Sequence, residues 1–280
     1  MRIARTPEEL RRHVAEARRS GHAIGFVPTM GNLHDGHYSL VRIARERAGF
    51  VVASVFVNPT QFGPNEDFAR YPRTPEADAE GLERHGCDVL FLPSVETLYP
   101  FGAQASVSIH VPVVSETLEG AIRPGHFDGV ATVVARLFNL VQPDVAVFGQ
   151  KDYQQLLVIR RMVRDLAFPI DIVAAPIARE ANGLAMSSRN QYLDAAARGR
   201  AGAIRATLDA MRDGVRASSP FADIEAAART ALEQAGLVPD YAVLRKADDL
   251  GEPEQGRHDG LVALIAARSG TTRLIDNALL

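Results

Sequence analysis

Histidines 34 and 37 stand three residues apart in the stretch Pro28-Thr29-Met30-Gly31-Asn32-Leu33-His34-Asp35-Gly36-His37. An apolar run (Ala23, Ile24, Phe26, Val27) precedes them and an amphipathic one (Leu40, Val41, Ile43, Ala44) follows. That order reads as a strand, a turn and a helix start, where unpaired backbone N–H groups and the positive end of the helix dipole favour an anion. Imidazoles at i and i+3 share a helix face and can serve the same anion. A nucleotide triphosphate is the simplest ligand of that kind. On these residues alone two other readings stay open, surface histidines in a turn and a metal-binding pair. For the metal, neither an H-E-x-x-H pattern nor a cysteine cluster is present.

Further groups could join the same chemistry. Lys151, in Gly149-Gln150-Lys151-Asp152, could neutralise charge that builds up during phosphoryl transfer. Asp152 could pair with it or bind a ribose hydroxyl. Met186-Ser187-Ser188-Arg189 offers hydroxyls, amides and a guanidinium able to hold phosphate oxygens bidentately. Gln61 and Gln155 carry amides that both donate and accept, which suits a small polar substrate with hydroxyls and a carboxylate. Each group also has a plain alternative: a snorkelling lysine, a solvated loop with a helix cap, surface glutamines. Arg123-Pro124-Gly125-His126-Phe127-Asp128-Gly129 reads as a flap or a connector. Asp78 reads as a solvated helix charge or an indirect metal contact.

These side chains need elements to position them. Strands are expected at Ala23–Val27, Phe50–Val57, Asp88–Leu92, Val145–Phe148 and Ile170–Ala174. Helical patterns lie near 7–20, 37–48, 74–86, 129–141 and 152–166. Continuous Val/Ile/Phe runs alternating with helices imply right-handed βαβ units and a parallel sheet whose ligands bind beyond the strands' carboxyl ends. Three strand ends therefore deliver polar or glycine-rich turns to one edge: the histidine stretch, Asn58-Pro59-Thr60-Gln61-Phe62-Gly63, and Gly149–Asp152. From about residue 177 the character changes. A polar, hinge-like loop (178–190) leads to alanine-rich helical stretches near 194–217 and 221–235, then to short strands at Tyr241–Arg245, Leu261–Ala267 and Thr272–Ile275. The expected class is α/β, with a Rossmann-like parallel-sheet domain (1–176) followed by a smaller α+β domain (177–280).

Bulk properties narrow the classes further. With 280 residues, 46% hydrophobic and 23% charged, the chain is globular in composition and long enough for about two domains. A formal net charge of -3 argues against general nucleic-acid binding. The single cysteine, Cys87, permits no internal disulfide and suits a reducing cytosol. No apolar run approaches the roughly 18 residues of a membrane helix. Glu8, Glu9 and Glu16 do not suit a transit peptide and no apolar signal core follows, so a cytoplasmic location is expected.

Taken together, PTMGNLHDGH, FVNPTQFGPNEDFARYPRT, RPGHFDG, FGQKDYQQL and GLAMSSRNQYL resemble, in order and over essentially the whole chain, the pantoate–β-alanine ligase family. The first motif looks like the H-I-G-H signature of the wider nucleotidyltransferase superfamily, and the last like a relative of its K-M-S-K-S loop. The resemblance implies ATP-dependent joining of (R)-pantoate and β-alanine through a pantoyl adenylate, with AMP and pyrophosphate released. It assigns His37, His34 and Lys151 to catalysis. It assigns Met30, Gly31, Asn32, Leu33, His34, Asp35, Gly36, His37, Gly149, Gln150, Lys151, Asp152, Ala178, Met186, Ser187, Ser188 and Arg189 to ATP. Gln61 falls to pantoate and β-alanine, and Gln155 to pantoate. Mg2+, a homodimer and a lid role for the second domain are implied as well, with no protein ligand to the metal identified. Two positions depart from the wider signature: Asp35 replaces its isoleucine, and Arg189 stands alone where the longer loop has two lysines, which shifts positive charge onto Lys151. A cytidylyltransferase and a nucleotide-binding regulator without enzymatic activity are the competing readings.

Overall fold

A computed structural model describes residues 1–63, 66, 68–254 and 256–280; Pro64, Asn65 and Asp67 of the second motif fall outside the described residues. The chain divides into two compact units, Met1–Gln150 with Gln154–Pro176, and Lys151–Tyr153 with Ile177–Leu280.

In the first unit, β1 (Arg2–Ala4), β2 (Ile24–Thr29), β3 (Phe50–Val55), β4 (Val89–Phe91), β5 (Val145–Gly149) and β6 (Asp171–Ala175) form one sheet in the order β1-β4-β3-β2-β5-β6. All its pairings are parallel. The connecting helices are α1 (Pro7–Arg19), α2 (Asp35–Arg47), α3 (Pro75–Arg84), α4 (Val95–Leu98), α5 (Glu119–Ile122), α6 (His126–Val141) and α7 (Tyr153–Asp165). Phe26, Phe91, Phe138 and Ile159 are fully buried on one side of the sheet, and Val27, Val41, Leu82 and Leu90 on the other. Both faces of the sheet are thus covered, which is why its strands are continuous apolar runs.

The strand order reverses between β2 and β5, because the chain runs outward from β2 to β4 and then returns to the other side. Such a reversal opens a crevice at the strands' carboxyl ends, the usual ligand site of parallel sheets. The histidine stretch leaves β2 there, and Gly149-Gln150 ends β5 beside it. The turn bearing Gln61 leaves the neighbouring β3 on the same edge.

The second unit contains α8 (Ala195–Ala201), α9 (Ala203–Arg216), α10 (Phe221–Gln234) and an antiparallel sheet of β7 (Val238–Lys246), β8 (Leu261–Ser269) and β9 (Thr272–Leu279). Ile204, Leu208, Met211 and Leu232 pack on Leu244, Ala263 and Ile265 as its core. Lys151–Tyr153 belongs with this unit: Asn277 Nδ2 donates to the Lys151 carbonyl at 2.9 Å and the Tyr153 hydroxyl to the Ala247 carbonyl at 2.7 Å. Among the described residues no helix is long and apolar enough to cross a membrane.

Candidate active site

The two histidines cap their own helix. His34 is the N-cap of α2, with extended backbone, and its Nδ1 accepts from the Gly36 amide at 3.2 Å. His37, at the third helical position, returns the bond: its Nδ1 accepts from the His34 amide at 3.3 Å. This reciprocal arrangement is a capping box built from imidazoles rather than from the usual hydroxyl and carboxylate. It brings the ring centroids to 4.1 Å. A nitrogen that accepts from an amide carries no proton, so each Nδ1 serves here as an acceptor. The paired rings stand at the N-terminal end of a helix, where the dipole attracts negative charge.

The turn before the cap is held from α3. Asp78 is 2% exposed, so it is not the solvated helix charge expected of it. Its carboxylate accepts from the amides of Asn32 (2.9 Å) and Leu33 (2.8 Å) and from the Thr74 hydroxyl (3.1 Å). Gly31 makes this approach possible. Its φ is +86°, and a Cβ there would stand 3.0 Å from both Asp78 Oδ2 and Val55 Cγ1. The sequence offered one faint sign of this role: Asp78 lies one turn before buried Leu82, on the apolar face of α3.

Gln61 sits in the turn after β3 at 8% exposure. Its Nε2 lies 2.8 Å from Met30 Sδ, and its Oε1 accepts from Asn58 Nδ2 at 3.2 Å. Asn58, 1% exposed, is the hub of this corner. It donates to the Gly129 carbonyl at 3.1 Å and accepts from Tyr99 (2.7 Å) and Thr60 (3.1 Å) hydroxyls. Gly129 lets α6 lie directly against the turn, because a Cβ there would be 2.4 Å from the Thr60 carbonyl oxygen.

The segment 123–129 is more than a plain connector. His126 Nδ1 donates to the Gln61 carbonyl at 2.8 Å, and its Nε2 accepts from Arg123 Nη1 at 3.0 Å. Arg123 also grips Glu66 through two bonds of 2.7 and 2.6 Å. Burial, reinforced by the neighbouring guanidinium, pushes His126 down to about 4. That agrees with a neutral ring whose Nε2 must accept. Asn58, Asp78, Arg123 and His126 thus act as supports, a role their motifs do not reveal.

On α7, Gln155 is half-buried, whereas its neighbour Gln154 is 4% exposed and committed to the backbone of segment 114–119. Cys87 is buried, and desolvation pushes its thiol up to about 12, so it is a packing residue and not a nucleophile.

Within the second unit, Lys151 is 19% exposed at its side chain, with Asp152 Oδ1 at 3.9 Å. The hinge-like loop is a folded turn. Arg179 and Ala185 form an isolated bridge, and the Ala178 carbonyl accepts from the Met186 amide at 2.9 Å. Ser187 caps a short 3-10 helix (Ser188–Tyr192) by accepting from the Arg189 amide at 3.2 Å. The anticipated residues therefore fall into two sets. Met30–His37, Gln61, Gly149, Gln150 and Gln155 belong to the first unit, and Lys151, Asp152, Ala178 and Met186–Arg189 to the second.

A six-stranded parallel sheet with a histidine capping box at its switch point defines an α/β fold of the doubly wound class. The family profile described as Pantoate-beta-alanine ligase matches residues 2–279. A pantothenate synthetase of Xanthomonas euvesicatoria pv. vesicatoria (strain 85-10) is 65% identical over 260 residues, 93% of this chain and 92% of its own. One from Xylella fastidiosa (strain M12) is 63% identical over 273 residues, 96% of this chain and 95% of its own. The crystal structure of pantothenate synthetase from Thermus thermophilus superposes with a TM-score of 0.92 at 47% identity, covering 99% of both chains. A pantoate–β-alanine ligase from Francisella tularensis, solved with a β,γ-ATP compound and β-alanine, gives 0.81 at 32% identity over 100% of this chain and 97% of its own. The chain belongs to the pantoate–β-alanine ligase family, and it is a ligase.

Proposed function

We propose that the chain uses ATP to join (R)-pantoate to β-alanine, forming pantothenate, AMP and pyrophosphate through a pantoyl adenylate. The observation that carries this reading is the imidazole capping box at the switch point. Two imidazoles held together at a helix N-terminus support a ligand of negative charge. The Francisella relative, solved with an ATP compound and β-alanine, supports the choice of ligands.

The chemistry runs in two steps. A pantoate carboxylate oxygen attacks the α-phosphorus, a P–O bond forms, and the bond to the β-phosphate breaks to release pyrophosphate. His34, His37, the α2 N-terminus, Lys151 and Arg189 stabilise the negative charge that gathers on phosphoryl oxygens. Met30–Gly36 and Gly149–Asp152 line the nucleotide, the Ala178 backbone meets adenine, and Ser187 and Ser188 bind the triphosphate. Gln61 orients pantoate and β-alanine, and Gln155 pantoate. The β-alanine amine then attacks the acyl carbon, loses a proton, and expels AMP as the C–O bond breaks. No side-chain nucleophile is required. The second unit acts as a lid that keeps water from the adenylate.

Mg2+ is implied by the family, but the described residues do not fit a protein-built site for it. No three His, Cys, Asp or Glu side chains among them come together to hold a metal, and Asp78 is committed to amides. In this reading magnesium arrives on the triphosphate as part of the substrate. A homodimer, carried by the family resemblance, and a cytoplasmic location, carried by the cysteine count and the N-terminal acidic residues, complete the proposal.

The test is AMP release from ATP with pantoate, with and without β-alanine. Sustained AMP formation only when both are present supports the proposal. CTP dependence, or ATP binding without AMP release, would replace it with one of the competing readings.

A further inference from the structure

Near the end of β9, Asp276 and Asn277 are 3% and 1% exposed, polar side chains buried within the second unit. They serve two separate parts of the proposed nucleotide site. The Asp276 carboxylate takes the Arg179 guanidinium in a two-pronged pair, with Nη1 to Oδ2 at 2.6 Å and Nη2 to Oδ1 at 3.0 Å. Arg179 Nη1 also donates to the Gly183 carbonyl at 2.9 Å, so this one guanidinium closes the turn that runs from Arg179 to Ala185. Met186–Arg189 leaves directly from that turn, its first amide fixed on the Ala178 carbonyl at 2.9 Å. Asn277 instead donates from Nδ2 to the backbone carbonyl of Lys151 at 2.9 Å.

Successive strand residues project to opposite faces. Here one strand step ties two segments that are 35 residues apart in the chain, Lys151 and Met186. The step itself is rigid. Asp276 pairs in register with Ile265 and Asn277 with Leu264, on a strand buried almost throughout. The Asp276 carboxylate also accepts from the Asn277 amide at 2.8 Å, joining the two supports. A buried ion pair contributes little to stability that apolar packing would not, and its better-attested use is to specify one arrangement. We propose that Asp276 and Asn277 are a positioning pair that fixes Lys151 and the Met186–Arg189 loop at one spacing, so that both meet the same nucleotide.

The inference rests on the reading of those two segments as ATP-binding. Its test is pantoate-dependent ATP–pyrophosphate exchange by the full chain, with KM measured separately for ATP and for pantoate and thermal melting recorded alongside. Asn277→Asp keeps the shape but loses the donor, and Asp276→Asn keeps the shape but loses the charge. Each is expected to raise the ATP KM about tenfold, the size of one lost buried hydrogen bond, and to leave the pantoate KM within about twofold. An unmoved ATP KM, or equal rises in both constants, overturns the pair's role even if melting falls. Should either variant fail to fold, Arg179→Lys keeps the charge and loses the fork, and an unmoved ATP KM there overturns the proposal equally. If the unaltered chain shows no exchange, the ATP reading fails and takes this inference with it. Exchange by the unaltered chain with unmoved variants sinks the inference alone.

Discussion

Replacing Asp78 by asparagine changes one atom yet should disable the histidine turn. The carboxylate now accepts three bonds, from the amides of Asn32 and Leu33 and the hydroxyl of Thr74, at 2% exposure. An asparagine can turn its one oxygen toward only one of the two amides, and its NH2 then faces the other. Losing a hydrogen bond to a buried charged acceptor costs about 1.5–3 kcal/mol, and the surviving bond to a neutral oxygen is weaker, so a total near 3 kcal/mol is expected. For a unit of this size that lowers the melting temperature by about 6–12 °C. The functional loss should be larger in proportion. Asn32 and Leu33 lead directly into the His34 cap, and a displacement of about 1 Å in a catalytic group costs on the order of 10²-fold in rate. Thr74→Val is the control, since it removes only the 3.1 Å bond and should cost about 1 kcal/mol with exchange nearly intact. The assays are calorimetric melting and pantoate-dependent ATP–pyrophosphate exchange. Wild-type melting together with wild-type exchange in Asp78→Asn would refute the reasoning.

Four other outcomes are expected. His37→Ala should slow exchange by about 10²-fold, as for a lost electrostatic donor, and unchanged exchange would remove it from the mechanism. Lys151→Ala should slow the same half-reaction, whereas an effect confined to β-alanine consumption would contradict its assignment. Gly129→Ala places a methyl 2.4 Å from the Thr60 carbonyl oxygen, so it should destabilise by about 1–3 kcal/mol and raise the pantoate KM; a silent substitution would show that the Gln61 turn is not packed as described. His126 titrates near 4 when folded, against about 6.5 unfolded, so the folded chain binds fewer protons in that window and loses stability as pH falls through it, by about 3 kcal/mol in all. His126→Asn keeps a donor for the Gln61 carbonyl and should flatten that part of the pH dependence in denaturant titrations; a slope equal to wild type would count against the ring's role.

Sequence made the sheet's central strands plain because burial on both faces writes them as unbroken apolar runs. β1 escaped notice for the opposite reason: it has three residues, two of them exposed, at the sheet's edge. Helix starts were displaced where unusual groups made the cap. α2 begins at Asp35 because His34, a rare cap, does the capping, and α6 begins at His126 behind the left-handed turn of Gly125. The stretch 194–217 is two helices, α8 and α9, that abut at Gly202. The histidines, Lys151 and the Ser-Ser-Arg loop stand out in the sequence as candidates because their types and chain neighbours suit phosphate chemistry. Asn58, Asp78 and the pair Asp276–Asn277 were not. Their roles depend on backbone groups brought to them through space, and a buried aspartate reads in one dimension like any charge on a helix.

The central claim is that pantoate's own carboxylate oxygen attacks the α-phosphorus. Carboxyl-18O pantoate, ATP and β-alanine can be turned over to completion and the products weighed by mass spectrometry. The adenylate route predicts one heavy oxygen in AMP and none in pyrophosphate. Heavy oxygen in inorganic phosphate with ADP as co-product, or its release to water with none in AMP, would contradict the account.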